Sequence, residues 1–442
     1  MKTRDTSTFR QPVLSQFIIG TLLLIFLPLF LTSCNDKQVQ TVTWTEFEPV
    51  YMTHSEFVNS VALEESRDLN NPGKFYFYGG YLFVNEVNKG VHIIDNHDPS
   101  APQNVGFINI PANKDIAVDG TLLYADSQKD LLVFDISDLS SPELVQRIED
   151  VFNTASRIAP GFTTQSIDDS KGLVVDWKQV EREEICESNC NSQPTRWGTG
   201  WVNTTASFDA SRASMGESSG GGVGGSMARF AITSDHLYAV DHTSLTAFSL
   251  GSGNTSKVSQ QNVGWQIETI FPYQDNLFIG SANAMYIYAL SNPSNPEPLS
   301  VYWHATACDP VVVEGEYAFV TLRKSEACPM GVNQLDVVDV KDLTNPKKVK
   351  SYGMINPHGL GIDNGKLFIS EGDHGLKIMD ASDPHNVKLL RHIEDIKTFD
   401  VIPYDGVLMV TGDDGIIQYD YSDINNLKHL STIPVFKTEP SL

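Results

Sequence analysis

The sequence predicts an all-β protein, a β-propeller of four-stranded antiparallel blades, with eight blades favoured and seven possible. The clearest copy of its repeat, residues 114–153, contains four short apolar runs separated by turn residues. Equivalent residues recur 40 positions apart, as Gly80 and Gly120 do, and as Asp95 and Asp135 do. No long segment with helical periodicity follows the leader. A closed ring is favoured over an open stack because closure leaves few strand edges exposed.

The composition excludes two broad classes of protein. The chain has 442 residues, of which 41% are hydrophobic and 19% charged, so it is too apolar for a disordered chain and long enough for a large core. Its formal net charge is -24. Such an acidic molecule is poorly suited to binding nucleic acid, because phosphate is bound through basic patches.

The first 33 residues are predicted to be an export signal. A basic leader with Lys2, Arg4 and Arg10 precedes an apolar run at 17–31, which is too short to span a membrane comfortably. The run ends in Leu-Thr-Ser followed by Cys34, which resembles the lipobox of bacterial lipoproteins. The resemblance implies cleavage before Cys34 and lipidation of its sulfur. The alternatives are an ordinary secretory signal with an incidental Cys, or an uncleaved anchor.

The rest of the chain divides into three predicted segments. Residues 34–72 form the lipidated N-terminus and a polar lead-in, with a possible strand at 41–51. Residues 73–434 form the propeller, interrupted by an insertion at 178–225, and residues 435–442 form a C-terminal tail.

Eight copies of the repeat follow one another along the propeller segment. Each is recognised by two predicted strands, at 81–86 and 90–95, 121–126 and 131–137, 166–172 and 173–177, 229–233 and 236–241, 277–280 and 285–288, 317–321 and 335–339, 366–370 and 375–380, and 407–411 and 415–420. The third copy is abnormal, because about 48 residues replace its outer two strands. The run 218–225 within this insertion is rich in Gly and Ser and is predicted to be a mobile loop. If this copy gives its strands to a neighbour, the ring has seven blades.

Four cysteines remain after Cys34, and an even number in an exported chain predicts disulfides. Cys186 and Cys190 lie four residues apart in the insertion. Cys308 and Cys328 flank the first two strands of the sixth copy, and their loops lie at the same end of an antiparallel blade, so we expect these two thiols to pair. A four-Cys metal site is the alternative, but close C-x-x-C pairs are absent. No metal and no cofactor is predicted.

Four of the third strands carry a shared motif, at 91–95, 131–135, 335–339 and 376–380. These runs resemble the LVIVD repeat, and residues 73–433 together with the lipobox resemble the exported LVIVD-repeat lipoproteins of Bacteroidetes. The chain departs from that pattern in the insertion and in the fourth and fifth copies, where Ser249 and Ala289 replace the final Asp. The resemblance implies a propeller at the cell envelope and assigns no catalytic residue.

The recurring Asp at the end of the third strand is interpreted as a turn residue. Its members are Asp95, Asp135, Asp339, Asp380 and Asp420. A calcium site would need several oxygens from one loop, whereas an Asp side chain readily caps the backbone of the turn that follows.

Polar and charged residues also collect where first strands begin and second strands end, which is one face of a propeller. They are Asn85, Glu86, Lys114, Asp115, Asp126, Asp176, Arg229, Asp241, Asp309, Arg323, His358, Glu371, Asp373 and Asp400. The preferred ligand-binding candidates in this funnel are Asp309, Arg323, His358, Glu371, Asp373 and His374. Arg323 would bind an anionic group and His358 would donate or accept a hydrogen bond. The alternative is that strand ends are polar because they contact water.

These observations favour a lipid-anchored binding or scaffold module of the cell envelope, in the outer membrane and facing the periplasm or the cell surface. Its partner would be an envelope protein or a small ligand, and not nucleic acid. A rigid ring that presents many loops suits recognition. The alternative is an envelope enzyme (a hydrolase, lyase or oxidoreductase) with its site in the funnel, although no residue is assigned a catalytic role.

Overall fold

The computed structural model describes residues 40–152, 167–186, 223–251, 254–305, 310–324 and 331–436. The chain forms two compact units, residues 1–46 with 180–201 and residues 47–179 with 202–442. In the smaller unit the described residues belong to two paired strands, and Arg182 Nε lies 3.2 Å from Glu46 Oε2. The larger unit contains the predicted propeller. No helix in the described part of the chain is long and apolar enough to cross a membrane.

The strands are short, as the repeat predicts, and most fall in groups of four. The first ones are β1 (Gln40–Met52), β2 (Ala62–Glu64), β3 (Pro72–Tyr78), β4 (Tyr81–Glu86), β5 (Gly90–Asp95), β6 (Gln103–Asn109), β7 (Ile116–Asp119), β8 (Leu122–Ser127), β9 (Asp130–Asp135), β10 (Glu143–Ile148), β11 (Leu173–Cys186) and β12 (Val223–Gly224). The middle ones are β13 (Phe230–Thr233), β14 (His236–Val240), β15 (Ser244–Ser249), β16 (Ser256–Asn262), β17 (Ile267–Tyr273), β18 (Asn276–Ser281), β19 (Ala284–Ala289) and β20 (Glu297–Trp303). The last ones are β21 (Val311–Glu314), β22 (Tyr317–Leu322), β23 (Gln334–Asp339), β24 (Lys347–Gly353), β25 (Leu360–Asp363), β26 (Lys366–Ser370), β27 (Leu376–Asp380), β28 (Lys388–Ile393), β29 (Thr398–Tyr404), β30 (Val407–Gly412), β31 (Gly415–Asp420) and β32 (Lys428–Pro434). A short helix, α1 (His54–Asn59), follows β1.

The fold is a propeller of seven blades. Blade 1 is β3–β6, blade 2 is β7–β10, and blades 3 to 7 are the successive groups of four strands from β13 to β32. The first strands of successive blades contact one another, which makes them the innermost strands of the ring. Blade 1 is widened by β2 on its outer strand and by β12 on its inner strand. The all-β propeller predicted from the repeat is therefore confirmed.

The blade number is the lower of the two that the sequence allows, because the third repeat copy forms no blade. Its second predicted strand is the start of β11, which pairs with β1 instead of with strands of its own copy. Its first predicted strand contains a 3-10 turn at Asp169–Lys171. No outer strand of this copy lies among the described residues that follow β11, where the next strand, β12, pairs with β3 of blade 1. The strand predicted at 41–51 is β1.

The hydrophobic core lies between the blades. Second and third strands such as β8 and β9 are buried on both faces, which explains continuous apolar runs such as Leu131-Leu132-Val133-Phe134. The fourth strands are mostly exposed at the periphery. Five buried clusters join neighbouring blades in turn, and the cluster with Leu82 and Ile416 joins blade 1 to blade 7 and closes the ring. Each large side chain buried in this way contributes about 1.5–3 kcal/mol.

The Asp residue that ends five of the third strands caps a turn, as predicted. In all five cases one side-chain oxygen accepts a hydrogen bond from the backbone N–H two residues later, at 2.8 to 3.1 Å. A second Asp three residues further on repeats the arrangement, as Asp138 does with Ser140 N. Hydrogen bonds from Ser382 hold the pKa of Asp380 below its usual value. The motif therefore has a local structural role in the blades.

Candidate functional site

One face of the ring, here called the mouth face, collects the beginnings of first strands and the ends of second strands. The register shows this directly, since Ile116 pairs with Ala125 in blade 2 and Phe230 pairs with Ala239 in blade 3. The side chains that follow these positions are the charged residues that the sequence groups together. The mouth face is therefore where a site made of these residues would lie.

The centre of the ring is occupied by the chain itself. The segment 223–229, here called the axial segment, follows the insertion and contacts the inner strands of five blades. Its strand β12 pairs with Tyr76 and Phe77 of blade 1, and its Ala228 O accepts a hydrogen bond from Ile270 N of blade 4 at 2.9 Å. Only a segment on the ring axis reaches so many blades within seven residues.

Ser226 is the polar centre of the axial segment. Its Oγ accepts a hydrogen bond from Leu360 N of blade 6 at 2.7 Å and lies 3.4 Å from Asp400 Oδ1 of blade 7. Met227 and Ala228 beside it are buried. The chain approaches Asp400 closely at Gly359, where an added Cβ would lie 2.0 Å from Asp400 Oδ1. These contacts hold the segment at the middle of the ring.

A network of buried charges links blades 1, 2 and 3 on the mouth face. Lys74 Nζ lies 2.9 Å from Asp115 Oδ2, and Arg229 Nη2 lies 2.7 Å from Asp126 Oδ2. Arg229 N also donates to Asp115 Oδ2. Burial lowers the pKa of Lys74 to about 8, although Asp115 opposes the shift. The network therefore fastens the end of the axial segment to the first two blades.

Asp126 also organises the loop in front of β7. Its Oδ1 accepts hydrogen bonds from Lys114 N at 2.7 Å, from Asp115 N at 2.8 Å and from the Asn113 side-chain amide at 3.0 Å. This carboxylate therefore has little hydrogen-bonding capacity left for a ligand. It has a structural role that strand-end polarity alone did not reveal.

Glu86 in blade 1 and Glu371 in blade 6 occupy the same position and make the same contacts. Glu86 accepts from Asn70 N and Asn71 N and contacts His92 Nε2 at 3.1 Å. Burial would raise the pKa of Glu86, but these hydrogen bonds outweigh it and the pKa lies below its ordinary value.

In blade 6, Glu371 accepts from Ile355 N and Asn356 N and pairs with Lys377 Nζ at 2.5 Å. Each glutamate thus ties the loop before its first strand to its third strand.

The preferred candidates of blades 5 and 6 are placed as follows. Asp309 lies outside the described residues, while Arg323 and His358 are buried. The His358 ring is next to Gly372, and its Nε2 lies 3.2 Å from the Asn356 amide. Asp373 and His374 are exposed.

Asp373 pairs with Lys397 at 2.7 Å, and this hydrogen bond, helped by the nearby His374 and His358, holds its pKa below the usual value. The structure thus brings His358, Glu371 and Asp373 into one loop region of blade 6. Ligand binding by these residues stays a prediction.

The lipidation site and the disulfides fall where the structure gives no side chains. Cys34, Cys190, Cys308 and Cys328 lie outside the described residues, as does the side chain of Cys186. Lipidation of Cys34 and the Cys308–Cys328 bond therefore stay predictions.

Two exposed tryptophans on the mouth face of blade 4 were missed by the sequence reasoning. Trp265 precedes β17 and Trp303 ends β20, and each is 65% exposed. Trp265 meets the His242 ring edge-on, with centroids 5.9 Å apart, and Trp303 meets Tyr286 at 6.5 Å. Large exposed aromatic side chains are characteristic of binding surfaces. Their sequence signal is that both are large aromatic residues at or next to the end of a strand.

Comparison with known proteins identifies LVIVD repeats at residues 76–109, 112–150 and 306–353. These spans correspond to blades 1, 2 and 5, so the repeat is matched in three of the seven blades. Among curated proteins, none matches this sequence.

Solved structures resemble this chain in fold. A protein from Lactobacillus plantarum has a TM-score of 0.53 and 12% identity, covering 83% of this chain and 97% of that chain. BamB from Moraxella catarrhalis has a TM-score of 0.46 and 7% identity, with 85% and 97% covered. A functionally unknown protein from Desulfotomaculum acetoxidans has a TM-score of 0.48 and 8% identity, with 79% and 95% covered. At these identities the likeness is one of fold alone.

Proposed function

We propose that this seven-bladed propeller with LVIVD repeats is a binding or scaffold module, held at the cell envelope by a lipid on Cys34. The binding role is supported by exposed residues on the rim of the mouth face, which surrounds the axial segment at the ring centre. Trp265 and Trp303 project from that rim, and aromatic residues of this kind often dominate binding energy.

The anchoring part of the proposal rests on the sequence. The basic leader, the apolar run of 15 residues and the Leu-Thr-Ser-Cys ending have the order of a lipoprotein signal. A single acyl chain binds a membrane weakly, whereas a multiply acylated Cys holds a protein there firmly. An anchored rigid ring can present its mouth face to envelope partners.

One experiment in intact cells tests both parts. A photo-crosslinking amino acid is placed at Trp303, and the same probe at Leu144, a 40% exposed residue on the outer strand of blade 2, serves as the control. Each is made with Cys34 present and as Cys34→Ala. We expect the Cys34 forms to fractionate with membranes and the Cys34→Ala forms to become soluble or stay unprocessed. We also expect a discrete crosslinked adduct from position 303 that position 144 does not give.

The two parts fail separately. If Cys34→Ala fractionates and migrates as the parent does, lipid anchoring is wrong. If position 303 gives no adduct, or only the adducts that position 144 gives, the mouth face of blade 4 is not a binding surface for an envelope partner.

A further inference from the structure

A small cleft opens on the mouth face between blades 2 and 3. Its volume is about 30 Å³, and the polar residues around it are Lys114, Asp126, Gln128, Arg229, Asp241 and His242. A water molecule takes up about 30 Å³ in the liquid, and pockets for whole ligands are roughly ten times larger. The cleft therefore admits one functional group of a ligand while the rest stays outside.

Lys114 is the unusual member of this cleft. Its backbone N–H donates to Asp126 Oδ1, but its Nζ makes no hydrogen bond or ion pair with any described residue. The side chain is partly buried. Burial lowers the pKa of Lys114, and the neighbouring Arg229 lowers it further, while Asp126 and Asp176 oppose them. An ammonium held in this way, next to a second cation, lacks a negative partner.

The acids around Lys114 do not supply that partner, because each is already occupied. The contacts are Asp115 with Lys74, Asp126 with Arg229, Asp176 with Lys89, and Asp241 with Ser244. Asp126 and Asp241 additionally accept backbone N–H groups. The acids and the cations around the cleft are equal in number, but none of the contacts that these acids make with described residues reaches Lys114 Nζ.

We propose that this cleft binds the carboxylate group of a small organic acid, paired with Lys114 Nζ and with the guanidinium of Arg229. A carboxylate matches the cleft in size and would give Lys114 Nζ a direct negative partner, whereas a phosphate is larger and carries more charge and more oxygens. His242 lines the cleft, and its ring touches Trp265 at the rim. The remainder of the acid lies outside against these two rings, where flat apolar or sugar surfaces pack well.

The proposal requires neither the membrane anchor nor an envelope partner. The carboxylate site is tested by binding to purified protein, whereas the proposed function is tested in intact cells. Each proposal can therefore fail without the other.

The test is calorimetric titration of the purified full-length protein, in detergent, with acetate and glucuronate. The matched neutral compounds are acetamide and glucose, and phosphate is a third arm. The variants are Lys114→Gln, Lys114→Arg and the control Lys129→Gln. Lys129 lies in the same blade but does not line the cleft, and its Nζ pairs with Asp150 Oδ1 at 3.0 Å. We expect saturable binding of the two acids only. Loss of a charge-assisted hydrogen bond in Lys114→Gln should weaken the affinity for these acids about tenfold or more.

The pH dependence separates a direct contact from a structural effect. Binding needs the charged Lys114 ammonium, so the affinity should fall as the pH rises and this group loses its proton. Because the pKa of Lys114 is lowered, the fall should begin at a pH below the ordinary lysine pKa of about 10.4. In Lys114→Arg the cation persists at every accessible pH, so affinity should be retained and stay level. Equal binding by wild type and Lys114→Gln, equal binding of the neutral compounds, preference for phosphate, or absence of saturable binding would each overturn the proposal.

Discussion

Glu86 and Glu371 show how a polar residue at the end of a second strand can be held by contacts within its own blade. Both carboxylates are buried at the end of a second strand, and both accept two backbone N–H groups from the loop before the first strand. Each also contacts a basic residue on the third strand, His92 in one blade and Lys377 in the other. A buried acid that is fully hydrogen-bonded in this way stabilises the blade mouth.

Replacement of Glu86 by Gln should destabilise the fold in a pH-dependent manner. The pKa of Glu86 is depressed below 4.5, so its stabilising contribution is present above that pH and is lost as the pH falls through the folded-state pKa. We expect Glu86→Gln to lower the free energy of unfolding by about 2 kcal/mol near neutral pH, through loss of charge-assisted hydrogen bonds. The deficit should shrink below pH 4.5.

Urea unfolding measured at several pH values checks this, with Glu64→Gln as the control. Glu64 is an exposed acid at the edge of blade 1, so its replacement should have a small and nearly constant effect. A deficit for Glu86→Gln that stays the same at all pH values would contradict the assigned role.

The sequence predicted where such residues lie but not what they do. The 40-residue spacing placed Glu86, Asp126, Arg229 and Glu371 at one face, and the structure has them there. Their partners are backbone N–H groups of loops and a residue from the axial segment, none of which leaves a pattern in the sequence. The repeat in the sequence indicates where the strands lie, whereas the contacts of a side chain depend on how neighbouring loops pack.

At the scale of elements, the axial segment is the largest departure from the sequence analysis. The Gly and Ser run at 218–225 was interpreted as part of a loop, and its end instead pairs with β3 inside the ring. Two residues, Val223 and Gly224, are too few for a strand pattern to be recognised. Gly224 also packs against the Tyr76 ring, where an added Cβ would lie 3.1 Å away, so a small residue is required there.

Ser226→Ala should weaken this element measurably. The substitution removes the acceptor for Leu360 N, a buried donor, and an unsatisfied buried donor costs about 1–3 kcal/mol. Ser100→Ala is the matched control, because Ser100 hydrogen-bonds Asp98 in an exposed turn. Denaturant unfolding should show a clear loss of stability for Ser226→Ala only. Equal effects of the two variants would argue against the axial segment as a stabilising element.

At the scale of the whole molecule, the ring closes between its first and last blades. The side-chain amides of Asn96 in blade 1 and Gln418 in blade 7 exchange two buried hydrogen bonds, at 2.9 and 2.7 Å. Leu69, before blade 1, and Val435, after blade 7, form a parallel bridge that is a second contact between the two blades. The prediction of a closed ring rested on the cost of exposed strand edges. These contacts between the first and last blades close the ring. The blade count was left open because it depended on which strands the third copy would pair with.

Gln418→Leu should loosen this closure. It leaves the Asn96 amide buried without its partner, so the free energy of unfolding should fall by about 2 kcal/mol. Replacing both residues by Leu removes the unpaired amide, and the double variant should recover part of the loss. A double-mutant cycle by denaturant unfolding measures the coupling. Strictly additive effects would show that the two amides do not act as a pair.

The position of Ser226 has a consequence for the order in which the chain folds. This residue comes from the middle of the sequence, yet its partners Leu360 and Asp400 belong to the blades that are synthesised last. Earlier blades can form their own sheets, but the ring has to assemble around a strand of the chain that is already present at its centre. Such long-range contacts are slow to form and leave apolar surfaces exposed in the meantime. The nascent protein therefore reaches its native state only after its last blade has emerged, and until then it depends on being kept from aggregation.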